Sequence, residues 1–317
     1  MDKKVCLIHW CTGTGHAARM IPVAKELESR NVQVSVAGGG FGSKFLEMNG
    51  FQEPGFEEVP DVAKYSKIEL LPKLVTQFIP SALKRTVQSY DWIKQEDPDE
   101  IVTDDIFAMI ACVASRRSFY RIDHLTPDIL PFKWSIPQKL YNKVSMVFGE
   151  NIIVTSVWPE KSKDNYIEFV GPLGQEGESG EVEDYDMLVV PGSWGGNQFD
   201  EISRRLREKG YDIKVVGGEN WETKASMTPH MAAADCVICT GYSSIADAAV
   251  AGTTCVVYPF IPFQKAIANE IDDRDIEGIR TADSVDKALS TAEKCVEADC
   301  SKPDFENGSK EFVDAVL

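Results

Sequence analysis

Histidine is the side chain best suited to move a proton near neutral pH, and the 317-residue chain has only four. His16 stands in a glycine-rich turn, Cys11-Thr12-Gly13-Thr14-Gly15-His16-Ala17-Ala18-Arg19, directly after the first apolar run. His124 closes a second short run, Phe119–Asp123, and Asp104 and Asp105 close a third, Glu100–Thr103. A carboxylate beside an imidazole fixes its tautomer and stabilises the imidazolium. His16 with Asp105, or with Asp104 in its place, would therefore make a general base, and His124 is the reserve. An aspartate there also suits the N-cap of the helix that follows. His9, inside the first run, reads as a core residue, and His230 as part of a helix start.

Two further turns suit an anion. Pro191-Gly192-Ser193-Trp194-Gly195-Gly196-Asn197 follows one apolar run, and Thr240-Gly241-Tyr242-Ser243-Ser244 follows another. Glycines let backbone approach a ligand, and the N–H groups of a helix start favour phosphate. Ser244 also fits a simple N-cap.

These turns need a scaffold, and the pattern supplies one. Short β-rich runs (Val5–Trp10, Val32–Ala37, Glu100–Thr103, Phe119–Asp123, Asn151–Thr155, Tyr166–Val170) alternate with stretches of helical spacing. After the gap the alternation restarts with Met187–Pro191, Ile213–Gly217, Cys236–Thr240 and Cys255–Tyr258. Strands separated by helices predict parallel sheets covered on both faces. Gly171–Asp184 has four glycines, a proline and five acids, and reads as a linker. The expected organisation is a domain over 1–171, a linker over 172–184 and a second domain over 185–302. Residues 303–317 are expected to cross back onto the first domain. In such sheets ligands bind beyond the carboxyl ends of the strands, where the three turns lie.

Composition narrows the partners. Asp and Glu number 50 against 33 Lys and Arg, a net charge of −17, which argues against a broad nucleic-acid footprint and against simple adsorption to anionic lipid. A local basic patch remains compatible with that total. With 43% hydrophobic residues, no apolar run long enough for a span and no secretory pattern at Met1–Trp10, a cytoplasmic globular protein is expected. The eight cysteines then read as reduced and buried. Cys236 and Cys239 lie three apart on one strand, where side chains point to opposite faces, which speaks against a metal or redox pair. Gly13-x-Gly15-x-x-Ala18 fits a dinucleotide fingerprint, yet the second strand ends in Ala37-Gly38-Gly39-Gly40, without the acid that would hold a ribose.

Several segments together resemble the GT-B-fold glycosyltransferases related to the MurG and UDP-glycosyltransferase families. They are Thr12–Leu27 (TGTGHAARMIPVAKEL), Pro98–Asp105 (PDEIVTDD), Phe169–Leu173 (FVGPL), Met187–Gly196 (MLVVPGSWGG) and the donor-motif stretch Met231–Asn269. The likeness spans nearly the whole chain in order. It implies two doubly wound Rossmann-like α/β domains facing across a cleft. It also implies transfer of a sugar from a nucleoside-diphosphate donor, UDP-linked by preference, to an acceptor hydroxyl, with no cofactor and no bound metal. By resemblance Gly192, Ser193, Trp194, Gly195, Thr240, Gly241, Tyr242, Ser243, Ser244 and Gln264 would bind donor, and Asp247 would stand where the family carries a ribose-binding Glu. Gly13, Gly15, Arg19 and Asp104 would line the cleft, with Arg19 or Lys265 adding local positive charge. The acceptor is a glycan, a lipid or a small molecule, and a peripheral membrane or protein partner is compatible. Two other readings share the architecture: a UDP-sugar 2-epimerase, and a non-catalytic nucleotide-sugar-binding partner subunit.

Overall fold

A computed structural model describes residues 3–61, 66–158, 160, 165–175, 182–192, 196–216, 224–298 and 300–317. The first half contains strands β1 (Lys4–Ile8), β2 (Gln33–Ala37), β3 (Glu100–Thr103), β4 (Tyr120–Asp123), β5 (Asn151–Thr155) and β6 (Ile167–Val170). They form one sheet in the order β2-β1-β3-β4-β5-β6, and every pairing is parallel. Its helices are α1 (Gly15–Ser29), α2 (Phe41–Met48), α3 (Lys67–Lys73), α4 (Ile79–Glu96), α5 (Ile106–Ser115) and α6 (Phe132–Phe148). The chain moves outward in one direction from β2 through β6. Right-handed crossovers therefore stack α4, α5 and α6 on a single face of the sheet, while α1, which steps the other way, covers the opposite face.

The second sheet has the order β11-β10-β9-β7-β8, again wholly parallel. Its strands are β7 (Tyr185–Val190), β8 (Ile213–Val215), β9 (Ala234–Cys239), β10 (Cys255–Val257) and β11 (Ile279–Thr281). The helices are α7 (Asn197–Glu208), α8 (Thr228–Ala232), α9 (Tyr242–Val250), α10 (Pro262–Arg274) and α11 (Val285–Glu297). Leu188, Val237 and Val257 pack under α9 and α10, whereas Met187, Ile238 and Val256 pack under α7 and α11. The chain thus folds as two doubly wound Rossmann-like domains. A last helix, α12 (Ser309–Val316), places Phe312, Val313 and Val316 in the core beneath α1.

Three details of these elements bear on the site. β1 stops at Ile8, although His9 still donates its N–H to the Ala37 carbonyl, and the His9 ring is buried against Glu53. The Lys67–Glu96 stretch is one helical run despite Pro72 and Pro80, with a wider π turn at Leu74–Phe78 joining α3 to α4. α1 begins at Gly15 and runs through Pro22, so His16 lies in its first turn. Cys236 and Cys239 do point to opposite sides of β9, into different cores, and all eight cysteines are free thiols. Of the 172–184 linker, 176–181 lie outside the described residues.

Candidate active site

In each sheet the strand order reverses once, and ligand crevices form at such switch points. In the first sheet the reversal lies between β1 and β3, whose carboxyl ends carry the His16 turn and Asp104. In the second it lies between β7 and β9, whose ends carry the Gly192 and Gly241 turns. Topology alone thus selects the turns that composition had singled out.

The first crevice is built around one carboxylate. Asp104 Oδ1 accepts the Trp10 backbone N–H at 2.7 Å, which fixes the group at the floor of the cleft. Its Oδ2 lies 2.7 Å from His16 Nδ1 and 3.4 Å from Arg19 Nε. Burial works to raise the Asp104 pKa. The charges of His16 and Arg19, with the hydrogen bonds from His16 and Trp10, outweigh it and hold the group below the usual carboxylate range. A carboxylate only accepts, so Nδ1 of His16 carries a proton in either charge state, and in the neutral ring the lone pair is left on Nε2. Arg19 Nη2 is 3.0 Å from the same Nδ1, where a protonated nitrogen cannot accept; it contributes charge there instead. The imidazole remains 30% exposed, so a substrate hydroxyl can reach it.

Asp105, first choice as the orienting acid, does a different job. Its Oδ1 caps α5 through the Phe107 N–H, and its Oδ2 receives Arg85 Nε at 2.5 Å, both side chains fully buried. Successive residues leaving a strand point opposite ways, so only one of the two acids can meet His16, and it is Asp104. Arg85 was not singled out by sequence reasoning. Its guanidinium also donates to the carbonyls of His9, Gly38 and Glu57 and lies against the rings of Trp10 and Phe56. It thereby ties the ends of β1, β2 and β3 together beneath the crevice. The signal was present: Ala82, Arg85, Ser89 and Trp92 share the buried side of α4, and an arginine in such a row needs several acceptors.

His124, the reserve base, is likewise engaged elsewhere. Its Nδ1 accepts from Arg19 Nη1 at 3.1 Å, and its ring stacks on Tyr242 with centroids 5.0 Å apart. Burial, reinforced by the Arg19 charge, pushes its pKa down to about 3, so the ring stays neutral and its Nδ1 lone pair is engaged.

The second domain faces this constellation directly. Ser243 donates to the Gly15 carbonyl at 3.3 Å, and Tyr242 donates through its hydroxyl to the Thr155 carbonyl at 2.8 Å. The Tyr242 hydroxyl thus joins the two domains. Gly241 starts α9 and Gly196 starts α7, neither with a side-chain cap, at adjacent strand ends. Gly192 has φ +62°, a left-handed conformation that favours glycine. Gly13, at φ +72°, turns the chain in the same way ahead of His16. Ser193, Trp194 and Gly195 lie outside the described residues. Ser244 is in the first turn of α9, bonded through its own N–H to the Gly241 carbonyl, so it is not the N-cap.

Burial bears on two of the donor-binding expectations. The Gln264 amide oxygen accepts from Thr240 Oγ1, Phe260 N and Ile261 N, closing the start of α10 and holding Thr240 inward. Asp247 is 7% exposed, and its Oδ1 accepts the Gln175 N–H at 3.0 Å, which turns it to the linker rather than to a ribose. Burial raises its pKa to about 7, with the Gln175 bond only partly opposing. Lys265 lines a mostly apolar groove of about 540 Å³ with Asn269, Leu130 and Pro131. Among the described residues no group of three or more His, Cys, Asp and Glu is arranged to hold a metal ion.

No protein-family model and no curated protein sequence matches the chain. Solved structures do. A Listeria monocytogenes protein described as a UDP-N-acetylglucosamine 2-epimerase superposes with a TM-score of 0.67 at 11% identity, over 99% of this chain and 95% of that one. MurG of Acinetobacter baumannii gives 0.60 at 16% identity, over 99% of each chain. The glycosyltransferase SsfS6 of Streptomyces sp. SF2575, complexed with thymidine diphosphate, gives 0.62 at 11% identity, over 99% of this chain and all of that one. Identities this low speak to fold, and the fold is that of GT-B proteins.

Proposed function

We propose that the chain is a glycosyltransferase that moves a sugar from a nucleoside-diphosphate donor to an acceptor hydroxyl, with His16 as general base and Asp104 as its orienting acid. The observation that carries the proposal is the 2.7 Å contact between His16 Nδ1 and Asp104 Oδ2 at the switch point of the first sheet, opposite two uncapped helix starts. His16 Nε2 takes the acceptor proton as the oxygen attacks the anomeric carbon. The bond from that carbon to the diphosphate oxygen breaks, and nucleoside diphosphate leaves. Backbone N–H groups at the starts of α7 and α9, together with Arg19, offset the charge on the leaving group. No metal is assigned a part in this scheme, so a chelator should leave the rate unchanged.

The donor is proposed to be a UDP-sugar. Because SsfS6 is complexed with thymidine diphosphate, the test panel includes both nucleotides. The chain is incubated with UDP- and TDP-sugars and an acceptor mixture, and products are followed by mass spectrometry and by release of nucleoside diphosphate. An acceptor heavier by one sugar supports the reading. A 2-epimer of the donor sugar would replace it with the epimerase reading. Donor binding without any product would leave a binding subunit.

A further inference from the structure

The second domain holds two groups of touching thiols. Cys239 Sγ lies 3.5 Å from Cys255 Sγ across β9 and β10, and both residues are fully buried. Cys295, in the last turn of α11, hydrogen-bonds through its thiol to Cys236 on one side and to Cys300 on the other. Cys236 and Cys295 sit in the core beneath α7 and α11, and Cys300 packs on the edge of that core. Cys300 Sγ also reaches the Lys294 carbonyl at 3.8 Å, which holds it at the end of α11. Of the eight cysteines only Cys300 is not buried. The first pair is therefore sealed, and the second group opens to solvent through one sulfur.

Hydrogen bonding and charge divide the roles within the open group. The bond to Cys295, together with burial, holds Cys236 well above an ordinary thiol, so Cys236 keeps its proton. Cys295 is the sulfur toward which charge is drawn. Its bond from Cys236, its bond from Cys300 and the charge of Arg280 on β11 outweigh burial and hold it below an ordinary thiol. A thiolate beside a cation, reached through a partly exposed neighbour, is the setting of a reactive cysteine. Cys236 belongs to the first half of β9, so the trio lies toward the amino edge of the second sheet. The Gly192 and Gly241 turns are at the opposite edge, and the two sites do not share residues.

We propose that Cys300 and Cys295 form a thiol–disulfide exchange site whose substrate is a small-molecule disulfide. The Cys300 thiolate attacks one sulfur of that molecule, its S–S bond breaks, and one small thiolate leaves. The Cys295 thiolate then attacks Cys300 Sγ, the mixed S–S bond breaks, and the second small thiolate leaves. The two cysteines lose two electrons, the small disulfide gains them, and the protons the cysteines shed end on the two released thiols. The new bond joins the end of α11 to the segment that crosses back to α12. That segment is already seated there: the Ser301 carbonyl accepts from Thr254 Oγ1 at 3.2 Å, and Pro303 abuts Gly278, where a Cβ would stand 2.2 Å from the proline nitrogen.

The test needs neither sugar donor nor acceptor. Full-length protein is incubated with oxidised glutathione, unfolded in iodoacetamide without reduction, and mapped by peptide mass spectrometry. The tryptic peptide that contains both Cys295 and Cys300 should lose two hydrogens and take no alkyl group, while Cys239 and Cys255 are alkylated in full. Cys295→Ser should stop the reaction at a glutathione adduct on Cys300, and Cys300→Ser should leave Cys295 reduced. The map of the parent protein decides even where a variant folds poorly. Four results overturn the proposal: Cys300 stays reduced, its glutathione adduct persists in the parent protein, Cys295 joins Cys236 instead, or the buried Cys239–Cys255 pair oxidises as fast.

Discussion

Gly15 and Ser243 meet across the cleft so closely that a Cβ on Gly15 would stand 2.7 Å from Ser243 Oγ, while that hydroxyl donates to the Gly15 carbonyl. The turn that carries the proposed base and the turn that starts the donor-side helix are thus in direct contact, and glycine is required at the seam for space rather than for φ. Gly15→Ala should force the Ser243 hydroxyl to turn away and give up its bond, a cost of about 0.5–1.5 kcal/mol. In a Ser243→Ala background the same substitution should cost almost nothing, because the remaining Cβ would be at 3.6 Å, an ordinary contact. Thermal melts of the four proteins measure that coupling; equal costs in both backgrounds would show that the seam is not closed in solution.

The alternation of strand and helix made the two parallel sheets legible, and their topology places the chosen turns at the switch points. The choice between neighbours was not legible. Asp104 and Asp105 have the same chemistry and differ only in which way the chain leaves β3, a matter of a single dihedral. Asp247 and Gln264 fit a donor motif, yet burial turned both inward, and burial arises from how the linker and α10 close over them. Arg85 shares a row with Ala82, Ser89 and Trp92 on α4, but the acceptors it meets come from three strand ends that converge only in the fold. The stack of His124 on Tyr242 requires the two domains to dock, which no local pattern records.

Asp105 and Arg85 make a structural prediction distinct from the catalytic one. Both are fully buried and each is the other's charge partner. Asp105→Asn leaves Arg85 without an ionised partner and should destabilise the fold by about 3–5 kcal/mol, read from urea unfolding. The kcat of the molecules that remain folded should stay near that of the parent protein. A large fall in kcat at unchanged stability would return Asp105 to the chemistry.

Asp247 predicts a pH dependence. Its folded pKa is raised to about 7 from 3.8, so between those values the folded chain holds a proton that the unfolded chain has lost. Stability must therefore fall as pH rises through that window, and the penalty is complete above about pH 7. Asp247→Asn keeps an acceptor for the Gln175 N–H and removes the charge. The variant should melt higher than the parent at pH 8, by an amount on the order of a few kcal/mol, and equally at pH 3. Calorimetry with UDP on the same variant should show unchanged affinity, since the carboxyl is turned to the linker. A loss of nucleotide binding would put Asp247 back at the ribose.

The base itself is tested by separating proton transfer from binding. A sugar hydroxyl is a weak nucleophile near neutral pH, and a positioned base contributes about 10²–10⁴-fold to kcat. His16→Ala should lose that factor while donor affinity, measured by calorimetry, stays within about twofold, because the proposed donor contacts lie on α7, α9 and Arg19. Asp104→Asn should reproduce much of the loss with the imidazole still present. An amide presents both a donor and an acceptor to Nδ1, so it no longer compels the tautomer that leaves Nε2 free. His124→Gln serves as the comparison: that ring is held neutral and bonded to Arg19, so its replacement should leave the ionisation that governs kcat where it was. If His16→Ala raises only the donor KM, or if His124→Gln abolishes the kcat ionisation, the dyad is a binding device and the proton leaves by another route.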